Sequence, residues 1–245
     1  MYGRQRSQPA APAMSDAAMI STTQIWLRRA AFAFAGVVAT HAIWLLAAEL
    51  VHPAQSHVRV DATAATARRA AATLAARIGL VRGDLWAECA LSYADLIWAA
   101  GHADDATSKE IEQEAHAVAA TALAHAPHDA RVWLLLAGLA SRFRPADGSI
   151  AELLKMSYYT GPSEVELIPH RLLAIVRSRA LGDSDLQQFV LRDARIIVKQ
   201  KPELKPAIVT AYREASEEEK RILEGIVGEL DPHLLTSIRS GGEVR

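Results

Sequence analysis

Two hydrophobic patterns divide this chain. From Ala30 to Ala48 run 19 residues with no formally charged side chain. As a helix they extend about 28 Å, close to the roughly 30 Å of a bilayer's hydrocarbon core. Arg28 and Arg29 close the run on one side and Glu49 on the other. Trp26 and Trp44 stand 18 residues apart, about 27 Å along a helix, which suits indole rings at the two interfaces. Pro53 stops the helix. Residues 25–52 are therefore predicted to form a transmembrane helix. Residues 1–24 are rich in Ser, Pro, Ala and Gln without apolar periodicity, and read as a disordered cytoplasmic tail.

Beyond Pro53 the apolar positions recur at helical spacing in short segments separated by breaks. Helices are expected over 60–78, 84–100, 107–126, 130–143, 149–159, 164–181, 184–201, 203–215 and 217–230, with a last short one after Asp231–Pro232. Asp84, Thr107 or Ser108, and Asp129 are candidate N-caps, and Pro127, Pro145 and Gly161–Pro162 mark stops. No segment of more than a few residues alternates apolar and polar, so no sheet is expected. The expected fold is all-α: the transmembrane helix, then residues 54–245 as a stack of helical hairpins.

The hairpins carry a spacing of their own. Trp86, Cys89, Ala90 and Tyr93 stand at intervals of three, four and seven from the tryptophan, and Trp133, Leu136, Ala137 and Ala140 repeat it. Ala115, Ala119, Ala122 and Pro127 follow as a second helix with a proline at its turn. Small residues let paired helices approach, and large ones fill the groove of the next pair. This pattern resembles the tetratricopeptide-like (TPR-like) superfamily, which implies an irregular right-handed α-solenoid. It covers 84–159, and 164–230 only as helix alternation. The period from Trp86 to Trp133 is 47 residues, longer than the regular repeat. The stretch Leu154–Lys155–Met156–Ser157–Tyr158–Tyr159–Thr160–Gly161 resembles single-pass alphaproteobacterial envelope proteins linked with surface-polysaccharide loci.

Charge sets the orientation. Arg4, Arg6, Arg28 and Arg29 precede the span, and only Arg59 follows closely. The positive-inside rule then keeps the N-terminus in the cytoplasm and places the large domain in the periplasm, anchored in the inner membrane. A cleaved signal peptide competes, but the apolar run is long and the small-residue sites near Ala48 and Ala54 are poor. A twin-arginine signal at Arg28–Arg29 lacks the usual hydrophobic placement after it. Net charge is -1, which argues against a general nucleic-acid binder. Alanine supplies 48 residues, 38 of them in the first 130, a helix-forming bias concentrated in the first half. Ala31, Ala35 and Ala39, with Gly36 and Thr40, space small residues every four along the span, a pattern compatible with a homodimer.

Little here suggests chemistry. Cys89 is the single cysteine and is expected to be a buried, inert thiol. His116, His125, His128 and Asp129 are close in sequence, but His116 and His125 fall on opposite sides of a helix. His102, Asp104 and Asp105 read as a solvated loop. Glu217, Glu218 and Glu219 read as a helix's first turn, explained by dipole and solvation. No nucleophile elbow, P-loop or dinucleotide fingerprint occurs, so no catalytic residue, metal or cofactor is called for. Tyr158, Tyr159, Arg171 and Arg177, with Arg179, Arg192 and Arg195 following, are the candidate partner-binding residues, because arginine and tyrosine suit carboxylates and acidic sugars. Trp26, Arg28, Arg29 and Trp44 are the expected membrane anchors. The expected function is a membrane-anchored, non-catalytic scaffold that binds an envelope protein, with surface-polysaccharide assembly or export as the setting the resemblance implies. A carbohydrate- or peptidoglycan-binding module using the Tyr/Arg surface is the alternative.

Overall fold

The computed structural model describes residues 16–51, 62–99, 106–143 and 149–240. Arg4, Arg6, Pro53, Ala54, Arg59, Pro145 and the loop of His102, Asp104 and Asp105 lie outside them, as do the side chains of Thr107 and Ser108. Every described element is helical, and no strand occurs among the described residues. The chain divides into two units, Met1–Leu50 and Val51–Arg245.

The first unit is one helix, α1 (Asp16–Val51). It starts at Asp16, so part of the expected tail is helical. Its segment Gln24–Val51 is 28 residues long and contains an 18-residue window with a mean hydropathy of 1.9, long and apolar enough to cross a membrane. Arg29 sits over the Trp26 ring at 5.8 Å, and His41 and Trp44 have ring centroids 5.5 Å apart. Space beside Gly36 is open, and Thr40 Oγ1 donates back to the Gly36 carbonyl.

The second unit begins with α2 (Ala62–Gly79), α3 (Gly83–Ala99), α4 (Ala106–His125), α5 (Ala130–Phe143) and α6 (Ile150–Thr160). Then come α7 (Ile168–Arg177), α8 (Ser184–Lys199), α9 (Lys205–Glu214), α10 (Glu217–Leu230) and α11 (Pro232–Ser240). Where one helix was expected over 164–181, the structure has a 3-10 turn Val165–Leu167, then α7, then a second 3-10 turn Ala180–Gly182. Pro169 stands in α7's first turn, where a missing N–H is harmless; further inside it would break a hydrogen bond. Pro206 similarly starts α9 after the 3-10 turn Pro202–Leu204.

Consecutive helices pack on each other, and so do alternate ones: α3 on α5, α5 on α7, α7 on α9, and α6 on α8, α8 on α10. Two turns repeat one device at the 47-residue period. Trp86 Nε1 donates to the Leu80 carbonyl at 2.7 Å, and Trp133 Nε1 to the Pro127 carbonyl at 2.9 Å. A Cβ on Gly83 would sit 2.6 Å from that of Ala126, and one on Gly161 2.6 Å from that of Ala130. The start of each hairpin's first helix, α3 or α5, thus lies hard against the end of its second, α4 or α6.

The core changes character along the chain. Over α2–α4 it is mostly alanine, with Ala65, Ala72, Ala75, Ala76, Ala115, Ala119 and Ala122 buried. From α5 onward, Leu154, Ile168, Ile175, Leu181, Leu186, Val190 and Ile197 carry it. At about 0.8 kcal/mol per buried CH2, each aliphatic position contributes roughly 2 kcal/mol more than alanine.

Helix starts are tied by charge. Asp129 accepts the Arg131 backbone N–H, as an N-cap does, and also the Arg131 guanidinium, which reaches on to Glu88 at 2.6 Å. Asp183 caps α8 and is held by Lys155; Asp231 caps α11 and is held by Lys205. Asp84 departs from expectation: α3 already starts at Gly83, and its carboxylate pairs with Arg82. Glu217 and Glu218 occupy the first turn of α10 as expected, but Glu219 is buried rather than solvated. It closes a capping box with Ser216.

At the C-terminal end, Glu224 of α10 is bound by Arg239 of α11 and by the Tyr212 hydroxyl of α9, at 2.6 Å for the latter. Arg239 and Tyr212 hold its carboxyl down to about 2, from an ordinary value of 4.5. On acidification the unfolded chain therefore takes up this proton first, and the link's contribution, complete above the ordinary value, disappears as pH falls through about 2. The unfolding midpoint of the full chain in non-ionic detergent should fall less steeply over this range in Glu224→Gln than in the parent; equal slopes would remove the link from the acid response.

Candidate functional site

The Tyr/Arg group predicted as a surface is split by the structure. Tyr158 and Arg171 are each 1 % exposed, whereas Tyr159 is 59 % exposed. The expectation that Tyr158 and Arg171 contact a partner is corrected: both are core residues. The reason is the C-terminal end of α6, where the Ser157 and Gly161 carbonyls each accept one backbone N–H and keep a second lone pair for a side-chain donor. Arg171 Nη2 donates to the Ser157 and Gly161 carbonyls at 2.5 and 3.0 Å, and its Nε donates to Ser157 Oγ at 3.0 Å. Ser157 Oγ in turn donates to the Ala130 carbonyl. The guanidinium lies 4.6 Å from the centre of the Tyr158 ring. Burial lowers the Arg171 pKa from its ordinary value.

Tyr158 donates to Asp193 Oδ2 at 2.8 Å, and Arg192 Nη2 lies 3.5 Å from Asp193 Oδ1. Burial pushes the Asp193 carboxyl up, against the pull of the Tyr158 hydroxyl and the two guanidiniums. Phe189 stacks on Tyr158 with centroids 4.6 Å apart, and Tyr159 meets it edge-on at 5.6 Å. The stretch Leu154–Gly161 is thus a packing hub: Lys155 binds the α8 cap, Ser157 ties α6 to α5, and Gly161 touches Ala130. Arg177 is exposed and paired with Glu214 at 3.3 Å. Arg179 and Arg195 are exposed, and Arg192 is intermediate.

An open cleft lies elsewhere. α2 and α4 both pack on α3, and between them opens a cleft of about 560 Å³. Trp86, Cys89 and Tyr93, at helical spacing on one face of α3, contribute to its lining; Arg69, Thr73 and Arg77 come from α2, and Glu114 and Val118 from α4. Three residues of the first tetratricopeptide-like spacing, Trp86, Cys89 and Tyr93, therefore border a cleft, while Ala90 is buried. Arg69 pairs with Glu114 at 3.3 Å and lies 5.4 Å from the Tyr93 ring centre; the Tyr93 hydroxyl reaches the same Glu114 oxygen at 3.3 Å. Burial, then Glu114, raises the Tyr93 phenol.

Cys89 is fully buried, 3.5 Å from Thr73 Oγ1, and burial pushes its thiol up. Trp86 stacks with His125 at 6.5 Å. Just past α2, Leu80 adopts a left-handed backbone, φ 46°, although glycine is its neighbour. That conformation costs a side-chain-bearing residue about 1–2 kcal/mol. The sequence pointed to the signature residues, but Arg69 and Arg77 were missed as site residues. The i, i+4, i+8 spacing of Arg69, Thr73 and Arg77 in an alanine-rich helix is the signal that could have found this side of the cleft.

The cleft offers cationic, aromatic and apolar groups. Among the described residues, no three histidine, cysteine or acidic side chains gather as metal ligands. No protein-family model, curated protein or solved structure matches this chain, so neither resemblance drawn from the sequence is backed by a relative.

Two outcomes test these assignments. Arg171→Ala should cost about 3–5 kcal/mol, as when one partner of a buried charged network is removed. Arg177→Ala should cost no more than about 1 kcal/mol. Urea unfolding of the full chain in detergent measures both, and similar costs would contradict the division of roles. The single thiol should react with a disulfide reagent about a hundredfold more slowly in the native chain than in urea; equal rates would show that Cys89 is not shielded.

Proposed function

We propose that this protein is a membrane-anchored, non-catalytic scaffold of the bacterial envelope, with its N-terminus in the cytoplasm and residues 54–245 in the periplasm, where they bind a protein partner. The carrying observation is the surface of Gln24–Val51. Ten large apolar side chains of this helix, from Ile25 to Leu50, are between 49 % and 78 % exposed. Apolar surface on that scale, on several sides of one helix, is stable in lipid and not in water.

The packing of alternate helices, and the Trp86 and Trp133 turns that repeat at 47 residues, support reading the second unit as an irregular TPR-like α-solenoid. Such stacks present extended binding surfaces. The resemblance of Leu154–Gly161 makes surface-polysaccharide assembly or export the first setting in which to seek the partner. The glycan-binding alternative loses Tyr158 and Arg171 to the core and keeps Tyr159, Arg177, Arg179 and Arg195 at the surface, and no observation favours it.

A cleaved signal sequence shares the length and composition of this helix, so the test addresses both fates. The full-length protein should remain in the membrane pellet after carbonate washing. Protease added outside intact spheroplasts should remove the large domain. Release of the protein by carbonate, or protection of the domain until the membrane is broken, would overturn the proposal.

A further inference from the structure

We propose that the cleft between α2 and α4 is the partner site, and that it takes an extended acidic segment with an apolar residue between two carboxylates. This rests on the scaffold reading and names the chemistry of the partner. Glu114 already shows how the cleft receives a carboxylate: one oxygen meets both the Arg69 guanidinium and the Tyr93 hydroxyl. At the other end, Arg77 is exposed and has no carboxylate within ion-pair distance among the described residues. Two arginines against one glutamate leave the lining with a positive surplus.

The apolar part has a place as well. Leu74, Leu80, Val81 and Tyr159 are the large hydrophobic side chains that the second unit exposes among its described residues. Leu74 lines the cleft, and Leu80 and Val81 form the turn at its Arg77 end, where Trp86 grips the Leu80 carbonyl. Arginine and tryptophan are the residue types that dominate binding energy at interfaces. Arg69 and Arg77 lie eight residues apart on α2, about 12 Å along the helix. An extended chain advances about 3.3 Å per residue, so carboxylates about four residues apart reach both arginines. The residue midway between them points to the same face, over Leu74 and Thr73. A cleft of about 560 Å³ is the size of a small-ligand or short-segment pocket.

The test uses the full chain in non-ionic detergent and a fluorescein-labelled peptide with two glutamates flanking a leucine, serines between them. A glutamine counterpart, a lysine counterpart and phosphatidylglycerol vesicles complete the probes. Fluorescence anisotropy should show saturable binding of the glutamate peptide. Affinity should fall about tenfold or more in Arg77→Glu and with the glutamine peptide, as loss of a close charge pair requires. Arg195→Glu, an exposed arginine on α8, should leave it unchanged. No binding of the glutamate peptide, equal loss in the two variants, or Arg77-dependent vesicle binding without peptide binding would overturn the proposal. Partners that co-purify from membranes equally with the parent and Arg77→Glu would overturn the cleft while sparing the scaffold. Recovery of no partner by the parent would overturn the scaffold, and the peptide titration would still judge the cleft.

Discussion

A guanidinium buried at the end of a helix organises the larger unit. Arg171 adds a second donor to the Ser157 and Gly161 carbonyls where α6 ends, and Ser157 passes the connection to α5 through the Ala130 carbonyl. The Tyr158 ring under the guanidinium carries it to α8 through Asp193. Four helices therefore meet at one cation. Burying a charge is unfavourable unless it is hydrogen-bonded and paired; here three oxygens, one aromatic face and a nearby carboxylate meet that condition. Leu154, Ile168, Leu172 and Leu186 then pack in the same core without polar groups among them to satisfy.

Helix positions were legible in the sequence because punctuation decides them. Asp129, Pro127 and Gly161 mark ends that the structure keeps. Pro169 and Pro206 were harder: an apolar period running through a proline looks continuous, yet the ring admits only a first-turn position. Adjacent tyrosines 158 and 159 look alike in sequence, but they lie about 100° apart around a helix, and one faces the core while the other faces water. Nothing in the period of α7 foretells that Arg171 turns inward, because the oxygens that receive it belong to α6. The cleft was hidden for a related reason. Alanine periodicity shows which faces pack closely but not which gap between two neighbours stays unfilled.

The two halves of the helical unit are built for different ends. Large aliphatic side chains and the Arg171 network make α5–α11 a block with many buried contacts. The alanine faces of α2–α4 allow close approach of their helices, and two arginines, an indole and a turn of exposed Leu80 and Val81 gather there. Leu80 keeps a strained left-handed backbone where the adjacent glycine would meet no penalty, and strain that persists at an exposed site is a common mark of recognition surfaces.

The alanine lining of α2–α4 also has a mechanical consequence. Pull entering the chain from its N-terminal side reaches α2 before any other helix of this unit, and the buried side chains of α2 are alanines. Under such load the first three helices would peel away as one low-stability segment while the aliphatic block stayed closed, and the cleft they frame would vanish with them. Tension would thus act as a release signal for whatever the cleft holds.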